Sequence, residues 1–484
     1  MYTKVSNLSE LADVLVDKNK LDNGVLNFVN RFKVGSLLRS FSALKEQGYP
    51  LIVIITNLIF IRLEGTSING AMKTGNISID DNTFYRTLNN PRVDWRKMLL
   101  SFALQFTRIV KKETQMEENL TRCFVVDDTL LEKSGKTIEG ISRVNDHVNG
   151  GFTFGFKLLL LGYFDGKMLI PADFSLHRES RKNSFGLNQK EQKKQFKSKS
   201  PKGSPGEMRK QELDEKKTDM VVKMIKLATK RGLNASYVLM DSWFTCEEVI
   251  KSIRKIKRGA LHVVGMCKMD KRKFNIDGKE LNSATIVKMH EVRSSKVKYS
   301  KKYKSQYIVV NAVYKGISVK LFYVKYKRAK TWTLILSTDT NINFNRAIEI
   351  YQIRWTIEVL FKECKQYLNL GKAQNTNFNG QIADTALALT TYTILSLGKR
   401  FGSYETIGSL FRANKQDMLE RTIYERIMDV ILSLIMQLLE IMAIDIDETI
   451  RLIAGSDEEC RKIVIMLNAV NQHPNKILTK SKTA

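Results

Sequence analysis

The chain has 484 residues, and 79 Lys and Arg against 50 Asp and Glu give a formal charge of +29. A hydrophobic share of 43% with six prolines excludes a chain disordered throughout and leaves room for roughly two to four domains. The basic excess points to a polyanionic partner, nucleic acid ahead of an anionic membrane surface, while five cysteines without a CxxC pair and five scattered histidines argue against a zinc cluster or a disulfide framework and for a reducing, intracellular compartment.

The first 115 residues read as helical. MYTKVSNLSELADVLVDK has no apolar h-region and is not expected to be a signal peptide. LSELADVLVDK and VLNFVNRFKVGSLLRSFSALKEQG carry helical spacing, and Gly48 and Pro50 close the second. LIVIITNLIFI (51–61) and VILSLIMQLLEIMAI (430–444) are both shorter than the ~20 residues that span a bilayer. They are expected to be buried helices. DDNTFYRTLNNPRVDWRKMLLSFALQF (80–106) mixes arginines, aromatics and helix starts, and fits either a small DNA-binding domain or a helical scaffold. Trp95 within it is expected in the core.

Between 122 and 177 the pattern turns to strands. RCFVVDD ends in two aspartates, and FTFGFKLLLLGYF and KMLIPADFSL flank the turn DGK at 165–167, which together predict an antiparallel meander. The stretch 178–217 is rich in lysine, glycine and serine, with six lysines in KEQKKQFKSKSPK. It is expected to be a solvated loop, either an inert linker or a basic arm that lies on phosphates. A helix capped by Gly232, the strand SYVLMD ending in Asp241, a second helix and the strand ALHVVGM then follow in α/β order. From 268 to 331 the chain is basic and β-rich and reads as an insertion. TWTLILSTDT ends it, and residues from 380 onward are again helical.

Asp127/Asp128 and Asp241 thus stand at the carboxyl ends of predicted strands, where α/β sheets build sites. Taken singly, strand-end aspartates more often cap turns, and Asp165, Asp173 and Asp339 are assigned to turns. YQIRWTIEVLFKECK (351–365) adds a helical glutamate. At ~100° per residue, Tyr351, Arg354, Glu358 and Lys365 share one stripe beside an apolar face. Three convergent carboxylates suit a hard cation such as Mg²⁺, and such sites can hold two ions ~3.5–4 Å apart for in-line phosphoryl displacement. Arg354 can grip a phosphate with two donors, Lys365 can act as a point charge, and Tyr351 can donate to a phosphate oxygen.

With those residues in place the chain resembles the bacterial insertion-sequence transposases that carry a DDE triad and the Y-(2)-R-(3)-E-(6)-K signature. Tyr351, Arg354, Glu358 and Lys365 match the signature, and VVDDTLLEKSGKTIEG and VLMDSWF are similar to the family's two aspartate strands. The likeness covers roughly 120–400. It implies an α/β fold with an RNase H-like core interrupted by a β-rich insertion, between helical N-terminal DNA-binding and helical C-terminal regions. The expected boundaries are 1–115 for the DNA-binding domain and 116–267 for the first part of the core. The insertion would span 268–340, the second part of the core 341–400 and the C-terminal region 401–484. The implied reaction is cut-and-paste transposition: hydrolysis at the element ends, then attack by the freed 3′-OH and joining to target DNA. Implied partners are double-stranded DNA, as terminal inverted repeats and target, and a second copy of the chain in a synaptic dimer. The implied cofactor is Mg²⁺, two ions per site, with Mn²⁺ as a substitute. The place of action would be the bacterial cytoplasm, on the nucleoid, without a membrane.

Strand alternation turns Asp127 and Asp128 to opposite sides, so one of them serves. The family motif, Asp followed by Thr, selects Asp128 and leaves Asp127 to bond backbone or a neighbouring base. Asp128, Asp241 and Glu358 are therefore the expected catalytic metal ligands. Tyr351, Arg354 and Lys365 are expected on DNA, with Trp332, which by the resemblance stacks on a flipped base and otherwise packs in the insertion. Trp243 and Trp355 are expected to pack. Competing readings are an RNase H-like nuclease without strand transfer and a non-catalytic DNA-binding descendant.

Overall fold

The chain divides into two compact units, Phe32–Gly408 and a second made of Met1–Arg31 with Ser409–Ala484. A computed structural model describes residues 49, 51–63, 65–73, 79–113, 120–146, 149–179, 195–197, 200–292, 296–401 and 406–410. The expected helices before residue 48, the apolar run 430–444 and nearly all of the C-terminal region lie outside them, as do residues 180–194 and 198–199 of the lysine-rich stretch.

Four helices come first: α1 (Leu51–Leu63), α2 (Ile68–Lys73), α3 (Asp81–Leu88) and α4 (Trp95–Glu113). Within α1, Leu51, Ile54, Ile55, Leu58, Ile59 and Ile61 are buried as expected while Val53 is exposed, and no described helix is long and apolar enough to cross a membrane. Next come β1 (Cys123–Glu132), β2 (Ser142–Asn145), β3 (Phe152–Phe164) and β4 (Leu169–His177). The meander is therefore real, with β2 added on the edge of β3 beyond β4. Asp165 holds the β3–β4 turn as expected, accepting from the amides of Lys167 and Met168. Within the supposed loop 178–217 the structure has a helix, α5 (Pro205–Glu212). Ser204 caps it by accepting from the Glu207 amide, and Pro205 pre-sets the first turn.

The α/β part follows as α6 (Lys217–Lys230), β5 (Tyr237–Met240), α7 (Glu247–Arg254) and β6 (His262–Cys267). Then come β7 (Lys273–Ile276), β8 (Lys279–Asn282), α8 (Ser283–Val292), β9 (Lys298–Ser300), β10 (Ser305–Tyr314), β11 (Ile317–Tyr326) and β12 (Thr333–Ser337). Two hairpins here turn on two residues at positive φ, Asp277-Gly278 and Lys315-Gly316, the geometry that matches strand twist. The chain ends its described part with α9 (Phe344–Gln352), α10 (Trp355–Tyr367) and α11 (Phe378–Phe401).

Among the described residues all strands join one mixed sheet of order β2-β3-β1-β5-β6-β12-β11-β10-β7-β8, with β4 on β3 and β9 on β10. Its centre is β1, antiparallel to β3 and parallel to β5, which is parallel to β6. β12 returns antiparallel to β6. Cys123–Val126 and the whole of β4 are buried, and each apolar side chain so covered stabilises the fold by ~1.5–3 kcal/mol. Asp173 is not a turn residue. It lies inside β4, buried, where both its oxygens accept from Arg96 of α4; Arg96 also donates to Glu212 of α5 at 2.7 Å. This ionic knot ties α4, β4 and α5 together, and α4 also packs on α11. Burial at both ends makes the partners interdependent: removing one would leave an uncompensated charge.

Candidate active site

β1 emerges from the core at its acids: Cys123–Val126 are buried and Asp127–Leu130 are half-buried. Register then decides which acid faces what. Val126 is level with Met240 on parallel β5, so the next residues, Asp127 and Asp241, stand level where β5 ends; β1 itself runs on to Glu132 against β3, so Asp127 and Asp128 lie inside the strand and not at the carboxyl end expected of them. Level residues on parallel strands point to one side. Asp128 points to the other.

The two faces meet different helices. On the Asp127 side lies α10. Arg354, at its N-terminus, donates from Nη1 to Asp127 Oδ2 at 2.8 Å and from Nη2 to Glu358 Oε1 at 2.6 Å. About two turns beyond Glu358, Lys365 Nζ donates to Thr129 Oγ1 at 2.8 Å, two residues along β1 from Asp127. On the other side, Asp128 Oδ2 accepts from Lys217 Nζ of α6 at 2.6 Å.

Asp241 uses Oδ1 as a turn cap, accepting from the amides of Trp243 and Phe244 at 3.0 and 3.2 Å. Burial pushes the Asp127 carboxyl from its ordinary 3.8 up to about 7. Arg354 and the Asp128 amide oppose this, and Asp241 and Asp128 add to it. Tyr351 is pushed up to about 12, by burial first and then by the nearness of Asp241 and Asp127 against Arg354. Its phenol therefore stays a proton donor at neutral pH. Lys365 is lowered by burial and by Lys157.

Tyr351 and Arg354 do not share one continuous α-helix. α9 stops at Gln352 and α10 starts at Trp355, with both joining residues in right-handed conformation. The Arg354 amide bonds Tyr351 O at 3.0 Å, an i→i−3 bond of the tighter 3₁₀ kind. The tightening brings the Arg354 guanidinium to 5.9 Å from the Tyr351 ring centre.

Residues 59–268 match the profile of the DDE superfamily endonucleases, and residues 210–394 match that of the transposase DDE domain. The two matches together place the chain in the DDE transposase/endonuclease family. No curated protein matches the sequence. The mixed sheet flanked by helices is consistent with a DDE nuclease fold, and the family acts on DNA and generally uses divalent metals.

In this member of the DDE family the residues singled out in the sequence divide into two groups. Asp241, Glu358, Tyr351 and Arg354 gather with Asp127, and Lys365 flanks them along β1. Asp128 does not join them. The parity of β1 sends it to Lys217, while Asp127, set aside on motif wording, is the acid on the Arg354 side. Asp127 does bond backbone and a neighbouring base, yet that base is Arg354 itself.

Trp332 immediately precedes β12 and is half-buried, donating to Glu291 Oε1 at 2.9 Å with Lys325 over its ring at 5.9 Å. It lies beside the carboxyl end of β6, on the acids' edge of the sheet, because β12 runs antiparallel. Trp95 is in the core as expected, whereas Trp243 and Trp355 are not covered: they are 49% and 62% exposed.

Among the described residues no three of His, Cys, Asp and Glu already close on one point as a metal cage. Arg354 stands between Asp127 and Glu358 instead. The donor set is nonetheless that of a hard cation, oxygen only. Asp127 is also an acid that burial disfavours in its ionised form beside two further acids, which is the setting a divalent ion relieves.

Proposed function

We propose that the chain binds the ends of its mobile element, cleaves them by metal-dependent phosphodiester hydrolysis and transesterification, and joins the 3′-OH ends to target DNA. Asp127, Asp241 and Glu358 are its catalytic carboxylates, with Asp127 in the place that motif wording gave to Asp128. The observation that carries this is the Arg354 fork, which links the β1 acid to the α10 acid beside the level Asp241. The antiparallel β1, β3 and β4 followed by parallel β5 and β6 support an RNase H-like core. The strands β7–β11 with α8 read as its insertion, and α1–α4 as part of a DNA-binding region.

Asp127, Asp241 and Glu358 would hold Mg²⁺, as one ion or a pair, which supplies Lewis-acid activation of the attacking oxygen and neutralises the leaving one. The chain's own groups do the rest. Arg354 presents a planar fork that suits a non-bridging phosphate pair as well as it suits two carboxylates, so DNA can draw it from the acids. Tyr351 donates its phenolic proton to a phosphate oxygen. Lys365, held on Thr129, tracks the strand beyond it. The synaptic assembly is a homodimer acting on nucleoid DNA in the cytoplasm.

The test uses purified full-length protein with Mg²⁺ and the DNA that flanks its coding region. Cleavage at the element ends followed by joining of those ends to a plasmid is expected, and both are lost in Glu358→Gln. Cleavage without joining would leave a nuclease. DNA binding with neither, unchanged in Glu358→Gln, would leave a DNA-binding protein and refute the catalytic reading.

A further inference from the structure

Asp128 and Trp243 are two features of the acids' edge that the chemistry above does not use, and Lys217 joins them. Lys217 Nζ is bound to Asp128 Oδ2 at 2.6 Å and stands 4.7 Å from the centre of the Trp243 ring. The fully buried Phe244 meets the same indole edge-on, with ring centres 4.8 Å apart and planes at 79°. The Trp243 amide is held by Asp241 Oδ1. The indole is thus braced by an ammonium, a buried ring and the turn of a catalytic acid, while about half of it remains open. A tryptophan placed for packing would be covered, as Trp95 is at 2% exposure.

We propose that Asp128, Lys217 and Trp243 form a stacking platform for an unpaired nucleobase next to the scissile phosphate. This rests on the reading of DNA as the substrate of the neighbouring acids. Indoles bind bases of any identity through their π-face, and an adjacent cation adds attraction for the backbone. Trp243 is two residues from Asp241, so a base seated on it belongs to the nucleotides at the reacting phosphate. Asp128 acts through Lys217 and is a positioning residue: it fixes the ammonium that fixes the ring. A base leaves a duplex most readily where pairing is already broken, so the platform favours frayed DNA.

The experiment compares full-length protein on two fluorescein-labelled duplexes, one blunt and one with unpaired bases at one end. Wild type is expected to bind the frayed duplex more tightly by about 5- to 100-fold. Trp243→Ala should lose that preference with the blunt duplex bound as before, Trp243→Phe should keep most of it, and Asp128→Asn should weaken it partly. A 2-aminopurine at the unpaired position should dim on binding wild type and stay bright with Trp243→Ala. Thermal melting verifies that the variants are folded. If Trp243→Ala keeps both the preference and the quenching, the platform is refuted while the transposase reading stands. Quenching lost only in Trp355→Ala would refute it equally. If wild type binds neither duplex, the proposed function falls with it.

Discussion

Asp127→Asn should stabilise the protein at the pH where it abolishes cleavage. Burial moves this carboxyl from 3.8 to about 7, which at 1.36 kcal/mol per tenfold is a burden of about 4 kcal/mol on the fully ionised native state. The sign follows from proton uptake. Between roughly pH 4 and 7 the folded protein holds a proton that the unfolded chain has released, so stability from this group is greatest at low pH and is lost as pH rises through 7. Asparagine cannot ionise and removes the burden. The attraction of Arg354 is already contained in that value, and the asparagine oxygen can still accept from the guanidinium. The pH-dependent part therefore isolates Asp127: relative to wild type, Asp127→Asn should gain about 3 kcal/mol of stability on going from pH 5 to pH 8. Urea denaturation at the two pH values, with EDTA present, measures it. DNA cleavage with Mg²⁺ measures the other half, and there Asp127→Asn should be inactive while Asp128→Asn at saturating DNA falls by less than about tenfold. A stability change equal at both pH values would refute the argument from burial. Cleavage surviving in Asp127→Asn and vanishing in Asp128→Asn would refute the choice of acid.

Asp241→Asn should lower cleavage by about a thousandfold or more, ~4 kcal/mol of transition-state stabilisation, while a binding titration shows DNA affinity little changed. Arg354→Lys keeps the charge but not the fork, and should lower cleavage at saturating DNA by ~10- to 100-fold, with less effect on DNA affinity. His177 is held down to about 4 by burial and by Lys217; its Nδ1 faces the Glu215 carbonyl, and its Nε2 accepts from the Ser175 hydroxyl. The unfolded chain takes up a proton that the native ring refuses, so this stability is present above pH 6.5 and is lost as pH falls toward 4. His177→Gln should flatten that limb by about 3 kcal/mol in a denaturation series. Arg96→Met should destabilise by ~3–5 kcal/mol, read as an earlier unfolding midpoint, because Asp173 and Glu212 are left buried without their cation.

The α/β order, the β3–β4 turn and the helical glutamate were legible because each is written in local residue order. What escaped the sequence depended on distant partners. Asp173 looks like a turn residue in IPADFSL until Arg96, 77 positions earlier, is found against it. The exposure of Trp243 and Trp355 is set by what fails to cover them, which neighbouring letters do not reveal. α5 was readable in principle. Ser204-Pro205-Gly206-Glu207 carries an N-cap, a first-turn proline and a third-position acid, but the surrounding lysines, glycines and serines masked it. The helical wheel of Tyr351–Lys365 put Tyr351, Arg354 and Glu358 on one stripe, and they stay close although the helix breaks at 353–354, because a 3₁₀ step displaces Tyr351 from Arg354 by only a fraction of a turn.

Asp127 against Asp128 shows where motif and geometry part. Both acids are half-buried, both end a β-branched run, and each has a cation within 3 Å. Nothing in VVDDT separates them, because alternation says only that they differ and not which side the acid helix takes. That side is fixed by pairing with a strand more than a hundred residues later: Val126 beside Met240 puts Asp127 beside Asp241. A slip of one residue in that register would exchange the two roles and carry Lys217 and Arg354 with them. The basic residues are therefore the better witnesses. Arg354 reaches two carboxylates from separate elements, as a centre that handles phosphate requires, whereas Lys217 reaches one carboxylate and an indole, as a support for a base requires. On the two proposals the doubled aspartate would serve two tasks on opposite faces of one strand, the first on the reacting phosphate and the second beneath the nucleotide that bears it.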